Sequence, residues 1–220
     1  MVLKIQFKGY LKLNFEKKPV YSFFKRCFDF LVSLIFLLIF WPLYLIVAII
    51  VAVSDGQGKP FFVQERVGKG GKLFKLVKFR TMCTDAEAKK ESLMKYNEAD
   101  GPVFKIKDDP RITKVGKVLR KTNIDELPQM FNILEGSMSF VGPRPPLPKE
   151  VAQYSESDRL RLLVKPGLTC YWQASRNRND ISFEEWMEMD RQYIQDRSAG
   201  VDIKLLFKTV GVILKHRDGR

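Results

Sequence analysis

Histidine is almost absent from this chain of 220 residues: the one copy, His216, sits in the C-terminal tail. A histidine-based triad or a histidine-rich metal site is thereby excluded. Any acid, base or nucleophile has to come from carboxylates, cysteines, lysines or hydroxyls. Cysteine is scarce as well. Cys27, Cys83 and Cys170 lie far apart and form no CxxC pair, so neither a zinc ligand set nor an even disulfide framework is encoded. Reducing, cytosol-facing surroundings follow from that. No GK[ST] follows the glycines at 68, 70 and 71, which removes a phosphate loop of the P-loop kind. Repeats and low-complexity segments are missing, and a hydrophobic content of 45% excludes a disordered or collagenous chain.

Positive charge, in contrast, is abundant. Lys and Arg number 38 against 25 Asp and Glu, a net +13 that calls for an anionic partner: nucleic acid, an anionic bilayer or a phosphorylated substrate. No recognition-helix or zinc-finger signature accompanies the charge, so nucleic acid is not expected. Much of the charge brackets one apolar run, Phe30 to Val53, 24 residues without a charged side chain. That length satisfies the test for a membrane helix. Pro42 stands near its middle, where it removes a backbone donor and favours a break. Lys17, Lys18, Lys25 and Arg26 precede the run, and Lys59, Arg66, Lys69 and Lys72 follow it, so both flanks look cytoplasmic under the positive-inside rule. Each arm beside Pro42 measures about 18 Å as helix, too short for a ~30 Å hydrocarbon core. A re-entrant helix-break-helix over residues 25–54 satisfies both observations. Ahead of it, residues 1–24 form a basic amphipathic segment suited to an anionic lipid surface or to a solvated tail.

Beyond the run, residues 59–80 predict a hairpin around Gly68–Gly71. Helices are predicted over 84–98, 111–121, 124–135, 148–164, 182–197 and 201–215, with an irregular, proline-rich loop after Gly136 and a turn at Pro166-Gly167. The last helix carries Ile203, Leu206, Phe207, Val210 and Leu214 as an apolar stripe, open to core packing or to membrane docking. The fold class read from this pattern is α+β: a mainly helical, small cytosolic domain (55–220) with a short hairpin, the re-entrant helix-break-helix and interfacial amphipathic helices.

The richest chemistry lies in residues 119–146, LRKTNIDELPQMFNILEGSMSFVGPRPP. Asp125 and Glu126 adjoin each other just after Arg120-Lys121. Thr122-x-x-Asp125 fits a helix start, where such carboxylates simply cap. The same place also suits phosphate, with Arg120 and Arg144 as clamps and a carboxylate that can share Mg²⁺ with phosphate oxygens. Pro143 and Pro145 fix the backbone on both sides of Arg144, a way to aim a guanidinium or to shape a surface turn.

Five ordered blocks carry a resemblance: KRCFDF (25–30), PFFVQERVGKGGKLFKLVKFRTM (60–82), DPRITKVGKVLRKTNIDELPQMFNIL (109–134), GSMSFVGPRPP (136–146) and KPGLTCYWQ (165–173). Together they resemble the bacterial sugar transferases, the monotopic phosphoglycosyl transferases that start lipid-linked glycan assembly. The resemblance implies transfer of a sugar 1-phosphate from a UDP-sugar to polyprenyl (undecaprenyl) phosphate, with release of UMP, in exopolysaccharide, capsule or O-antigen type synthesis. It implies Asp125 as nucleophile through a covalent aspartyl-phosphosugar, Glu126 beside it, and Mg²⁺ held by Asp125 and Glu126. Lys78, Arg80, Arg120 and Arg144 match phosphate-facing positions, and Gln173, Arg178 and Asn179 match a segment that helps hold the nucleotide-sugar. The run SRNRND (175–180) departs from the family's shorter, glycine-containing SGRND-like run, which leaves the sugar open. The implied site is the cytoplasmic face of a bacterial inner membrane. Implied partners are the UDP-sugar, the polyprenyl phosphate and an anionic bilayer, with downstream membrane glycosyltransferases or a second copy of the chain beyond them. Longer relatives carry a multi-span region ahead of this unit, so the chain is expected to be the minimal catalytic form. A non-catalytic membrane scaffold and a membrane-tethered nucleic-acid-binding module are the competing classes.

Overall fold

The computed structural model describes residues 18–54, 58–175 and 180–215. The N-terminal segment up to residue 17, Arg178, Asn179 and His216 lie outside the described residues. The apolar run becomes one helix, α1 (Pro19–Ser54), of 36 residues, about 54 Å long at 1.5 Å per residue. The expected break at Pro42 is not seen, because the helix continues through it. Proline removes one backbone bond, and packing on both sides of Pro42 supplies the compensation. Val32, Phe36 and Leu37 lie against one core cluster, while Tyr44, Val47 and Val51 belong to another with Phe79 and Leu119. Full burial of such a side chain, as at Val51, is worth about 1.5–3 kcal/mol, and the partly buried ones contribute less. The other face of α1 leaves Leu31, Ile35, Leu38, Ile39, Leu45 and Ile49 exposed. An apolar face of that extent marks a membrane or protein contact.

The hairpin forms as predicted: β1 (Phe61–Val67) pairs antiparallel with β2 (Leu73–Phe79), from Phe61↔Phe79 to Val67↔Leu73, around a 3-10 turn at Lys69–Gly71. Gly70 takes a left-handed φ of 67° there, a conformation glycine adopts without strain. The polar helix shortens to α2 (Ala86–Leu93), and α3 covers Lys114–Lys121, with Thr113 accepting from the Gly116 amide at its start.

Two sequence expectations change next. Thr122 does not open the following helix. Its hydroxyl donates back to the Val118 and Leu119 carbonyls at 2.9 and 3.1 Å and so closes α3. Asn123 then turns the chain with φ 56°, and Asp125 and Glu126 occupy a 3-10 turn (Ile124–Glu126) ahead of α4 (Gln129–Glu135). The proline-rich stretch is also more regular than expected. It begins with β3 (Ser139–Val141), which pairs in parallel with β4 (Gly167–Thr169), so the expected Pro166-Gly167 turn is a strand entry. The helix expected over 148–164 splits into α5 (Pro148–Ala152) and a 3-10 stretch, Asp158–Leu163.

The C-terminal part holds α6 (Phe183–Asp196), capped by Ser182 and Glu185, and α7 (Ala199–Lys215). On α7 the predicted stripe divides. Ile203, Phe207, Val210 and Leu214 are exposed, Leu206 is partly buried, and the core face is made by Asp202, Leu205 and Val212. Among the described residues the architecture is a mixed α/β arrangement with two small sheets and one long apolar helix.

Candidate active site

Three contacts place the carboxylate turn. Asn132, in the middle of α4, accepts from the Val77 amide at 3.1 Å and donates to the Lys75 carbonyl at 2.8 Å. Its amide thus completes the open edge of β2, which explains a poor helix former inside a helix. Tyr44 of α1 donates to the Leu127 carbonyl at 2.6 Å, one residue past Glu126. Arg26 of α1 donates to the Ile133 and Leu134 carbonyls at 2.6 Å each, at the C-terminal end of α4, where cations are favoured. The apolar helix therefore grips α4 at both ends.

The result sets Glu126 against β2, with Lys78 Nζ 2.6 Å from Glu126 Oε1. Asp125 is buried at 7% exposure. Burial pushes its carboxyl up to about 6 from 3.8; the Glu126 charge adds to this, while Lys78 and Arg120 oppose it. Arg120 donates through Nε to Thr81 Oγ1 at 2.9 Å. Burial lowers its guanidinium, and the charges of Asp125 and Asp109 resist that. Asp125 is thus a nucleophile candidate whose burial raises its carboxyl while the charges of Lys78 and Arg120 favour its ionised form. Arg80 follows Lys78 by two residues, and its guanidinium turns to the Phe61 carbonyl at 3.5 Å.

Asp125 and Glu126 are the carboxylates of this turn that could hold Mg²⁺, which would take its remaining ligands from substrate phosphates and water. Among the described residues no group of three or more His, Cys, Asp or Glu stands ready as a protein-only cage.

Arg144 is carried by the loop after β3. Its guanidinium lies over Trp172 at 5.8 Å and over Trp186 at 6.0 Å, and these two rings stack at 4.6 Å. Gln173 adjoins Trp172, with its side-chain carbonyl buried and unpartnered. By the two-residue period of strands, Phe62, Gln64 and Arg66 share the hairpin face that carries Lys78. Arg66 feels both the Arg144 and the Glu126 charges, which links the loop electrostatically to the carboxylate turn. Sequence reasoning missed Arg66, Trp172, Trp186 and Arg161. Trp172 stood inside a quoted block, but nothing in its spacing marked it out.

The profile of the bacterial sugar transferases matches residues 20–216. The chain belongs to that family. Among similar curated proteins, "Galactosyl transferase CpsE" of Streptococcus agalactiae is 43% identical over 213 residues, covering 94% of this chain and 46% of the relative. "UDP-galactose-lipid carrier transferase" of Erwinia amylovora is 41% identical over 202 residues, 90% of this chain and 41% of the relative. "Exopolysaccharide production protein ExoY" of Rhizobium meliloti is 40% identical over 204 residues, 91% of this chain and 89% of the relative. The chain therefore spans under half of the first two relatives and most of the third. Membership places the family's shared unit on α1, the hairpin, the carboxylate turn and the Pro-Arg-Pro loop.

Proposed function

We propose that the protein is a phosphoglycosyl transferase that moves a sugar 1-phosphate from a UDP-sugar to undecaprenyl phosphate and so starts a lipid-linked exopolysaccharide, capsule or O-antigen type glycan. The observation that carries this reading is the buried Asp125 carboxylate, acted on by the charges of Lys78 and Arg120, in a chain of this family. An Asp125 oxygen attacks the phosphorus that bears the sugar. The bond from that phosphorus to the bridging oxygen breaks, and UMP leaves with the electron pair. A phosphate oxygen of undecaprenyl phosphate then attacks the same phosphorus, the acyl-phosphate bond breaks, and the Asp125 carboxylate is regenerated. Lys78, Arg120 and Arg144 offset charge on the phosphates, with Arg80 near the hairpin's open end. Mg²⁺, held by Asp125 and Glu126 with phosphate oxygens, would supply further positive charge at the diphosphate. Gln173, with Arg178 and Asn179, would hold the nucleotide-sugar.

UMP release from purified, membrane-reconstituted protein tests this against a panel of UDP-sugars with undecaprenyl phosphate. The names of relatives carry galactose and N-acetylgalactosamine, so these two head the panel. Release with at least one sugar, dependent on the lipid for turnover, is the expected result. Silence across the panel with folded protein removes the reading.

The same reading puts both ends of α1 on the cytoplasmic face, which requires the continuous helix to bend at Pro42 where one backbone hydrogen bond is missing. Support comes from Lys25 pairing with Asp202 near one end and Val51 packing with Phe79 and Leu119 near the other, so one charged domain holds both. Single cysteines at positions 18 and 59, in a chain freed of native cysteines, should both resist an impermeant thiol reagent in intact cells. Labelling of one position alone means a spanning helix.

A further inference from the structure

The loop that carries Arg144 has an unusual hydrogen-bond problem. Of its four residues, 143–146, three are proline, so it owns four carbonyls and a single N–H. Pro143, Pro145 and Pro146 are buried, and a buried carbonyl needs a donor. All four find one from outside the loop. The Gly167 amide reaches the Pro143 carbonyl at 2.9 Å and the Val67 amide reaches the Pro146 carbonyl at 2.9 Å. Between them, Arg161 Nη2 donates to the Arg144 carbonyl at 3.0 Å and Arg66 Nη1 donates to the Pro145 carbonyl at 2.9 Å.

Two buried guanidinium groups are a costly way to satisfy two carbonyls. Arg161, 3% exposed, is offset by an ion pair with fully buried Asp190 at 2.7 Å. It also donates to Tyr154 Oη at 2.8 Å and lies over the Trp186 ring at 4.9 Å. That ring stacks on Trp172, over which the Arg144 guanidinium rests, so Arg161 supports both the backbone and the aromatic shelf of Arg144. Arg66, 8% exposed, makes no ion pair among the described residues, and its Nε and Nη2 go to Gln64 Oε1 at 3.1 and 2.7 Å. Burial and then the Arg144 charge bring Arg66 down to about 10. A buried cation kept beside another cation, hydrogen-bonded to a neutral amide and a carbonyl and with the Glu150 and Glu126 charges only partly offsetting the burial, serves to hold the loop in position.

We infer that Arg66 and Arg161, the latter held by Asp190, are positioning residues that fix the Pro143–Pro146 loop and so aim Arg144 at the phosphates of a nucleoside diphosphate. The inference rests on the reading of Arg144 as a phosphate clamp. Its consequence is energetic coupling: removing a carbonyl donor harms phosphate binding only while Arg144 has its fork to aim.

The test is a titration with UDP, read by tryptophan emission in the full chain in lipid nanodiscs, with Trp41→Phe so that Trp172 and Trp186 report. Arg66→Met removes one donor. Arg161→Met with Asp190→Leu removes the other and takes out both buried charges together, which buried pairs tolerate better than loss of one partner. Each is expected to weaken UDP binding by about tenfold, against less than about twofold when made in an Arg144→Lys chain. Arg66→Lys, which keeps one donor, should recover most of the loss. Equal losses in both backgrounds, no loss in either, or wild-type UDP affinity in Arg144→Lys alone would each overturn the inference. Coupled UDP binding with no UMP release from any UDP-sugar would leave it standing and sink the transferase reading instead.

Discussion

Asp125→Asn is expected to abolish UMP release even before any acceptor is added, because the first bond-forming step has lost its nucleophile. The loss should be total within detection, and intact-protein mass shows why. Wild type mixed with UDP-sugar and Mg²⁺, without acceptor, should gain the mass of a sugar phosphate that maps to the Asp125 peptide; the variant should gain nothing. If wild type traps no adduct and initial rates require both substrates bound together, transfer is direct and Asp125 reverts to a metal ligand. A second readout separates chemistry from folding. The Asp125 carboxyl is raised to about 6 in the folded chain, against an ordinary value near 3.9. Between those values the native state holds a proton that the unfolded chain has released, so stability falls as pH rises from about 4 to about 6. Above pH 6 the cost of the buried charge is complete. Asparagine carries no charge, so the variant should melt higher than wild type at pH 8, by on the order of 2 kcal/mol or roughly 4–8 °C. The gain should vanish below about pH 4. A protein more stable yet inert also excludes the scaffold class, provided it still sits in the membrane.

The second large effect is structural. A Cβ added at Gly167 would lie 2.1 Å from the Gly142 amide nitrogen and 2.6 Å from the Val141 carbonyl carbon. One added at Gly142 would lie 2.3 Å from the Lys165 carbonyl oxygen. These are backbone atoms and cannot rotate away. The two glycines face each other where β3 meets β4, and the Gly167 amide is the donor to Pro143. Gly167→Ala should therefore split the strand pair and release the Arg144 loop, at a cost above about 4 kcal/mol, the range reserved for broken cores. The measurement is the yield of monodisperse, membrane-extracted protein and its melting. Gly211→Ala is the control: nothing lies within 4 Å of its added Cβ, and alanine gains about 1 kcal/mol of helix propensity there. Comparable yields of the two variants would show that the β3–β4 contact is loose.

What the sequence made legible was whatever repeats at short range. The hairpin followed from apolar-basic alternation closed by glycines, and α6 from its pattern between residues 182 and 197. Adjacent carboxylates after a basic pair drew attention to Asp125 and Glu126. The misses were long-range. β3 and β4 have three residues each and pair across 28 positions, Ser139 with Gly167, so no alternation could develop. The Thr122 hydroxyl could accept from amides of the next turn or donate to carbonyls of α3, and the carbonyls won it. Arg66 and Arg161 are two basic side chains among 38, and nothing local tells a buried arginine from a solvated one. Pro42 carries a local preference for a break, but the packing of α1 on both sides of it decided the outcome.

The two-point grip of α1 on α4 has a mechanical consequence. Arg26 holds one end of α4, and Tyr44 holds the residue that follows Glu126. Little chain lies between the apolar helix and the carboxylate turn, so a tilt of α1 becomes a change in the height of Asp125. If α1 enters a bilayer as proposed, a change in its angle to the membrane plane would raise or lower the carboxylate relative to the phosphate headgroups. The reaction would then respond to the membrane around α1, through the tyrosine and arginine that tie it to the carboxylate turn.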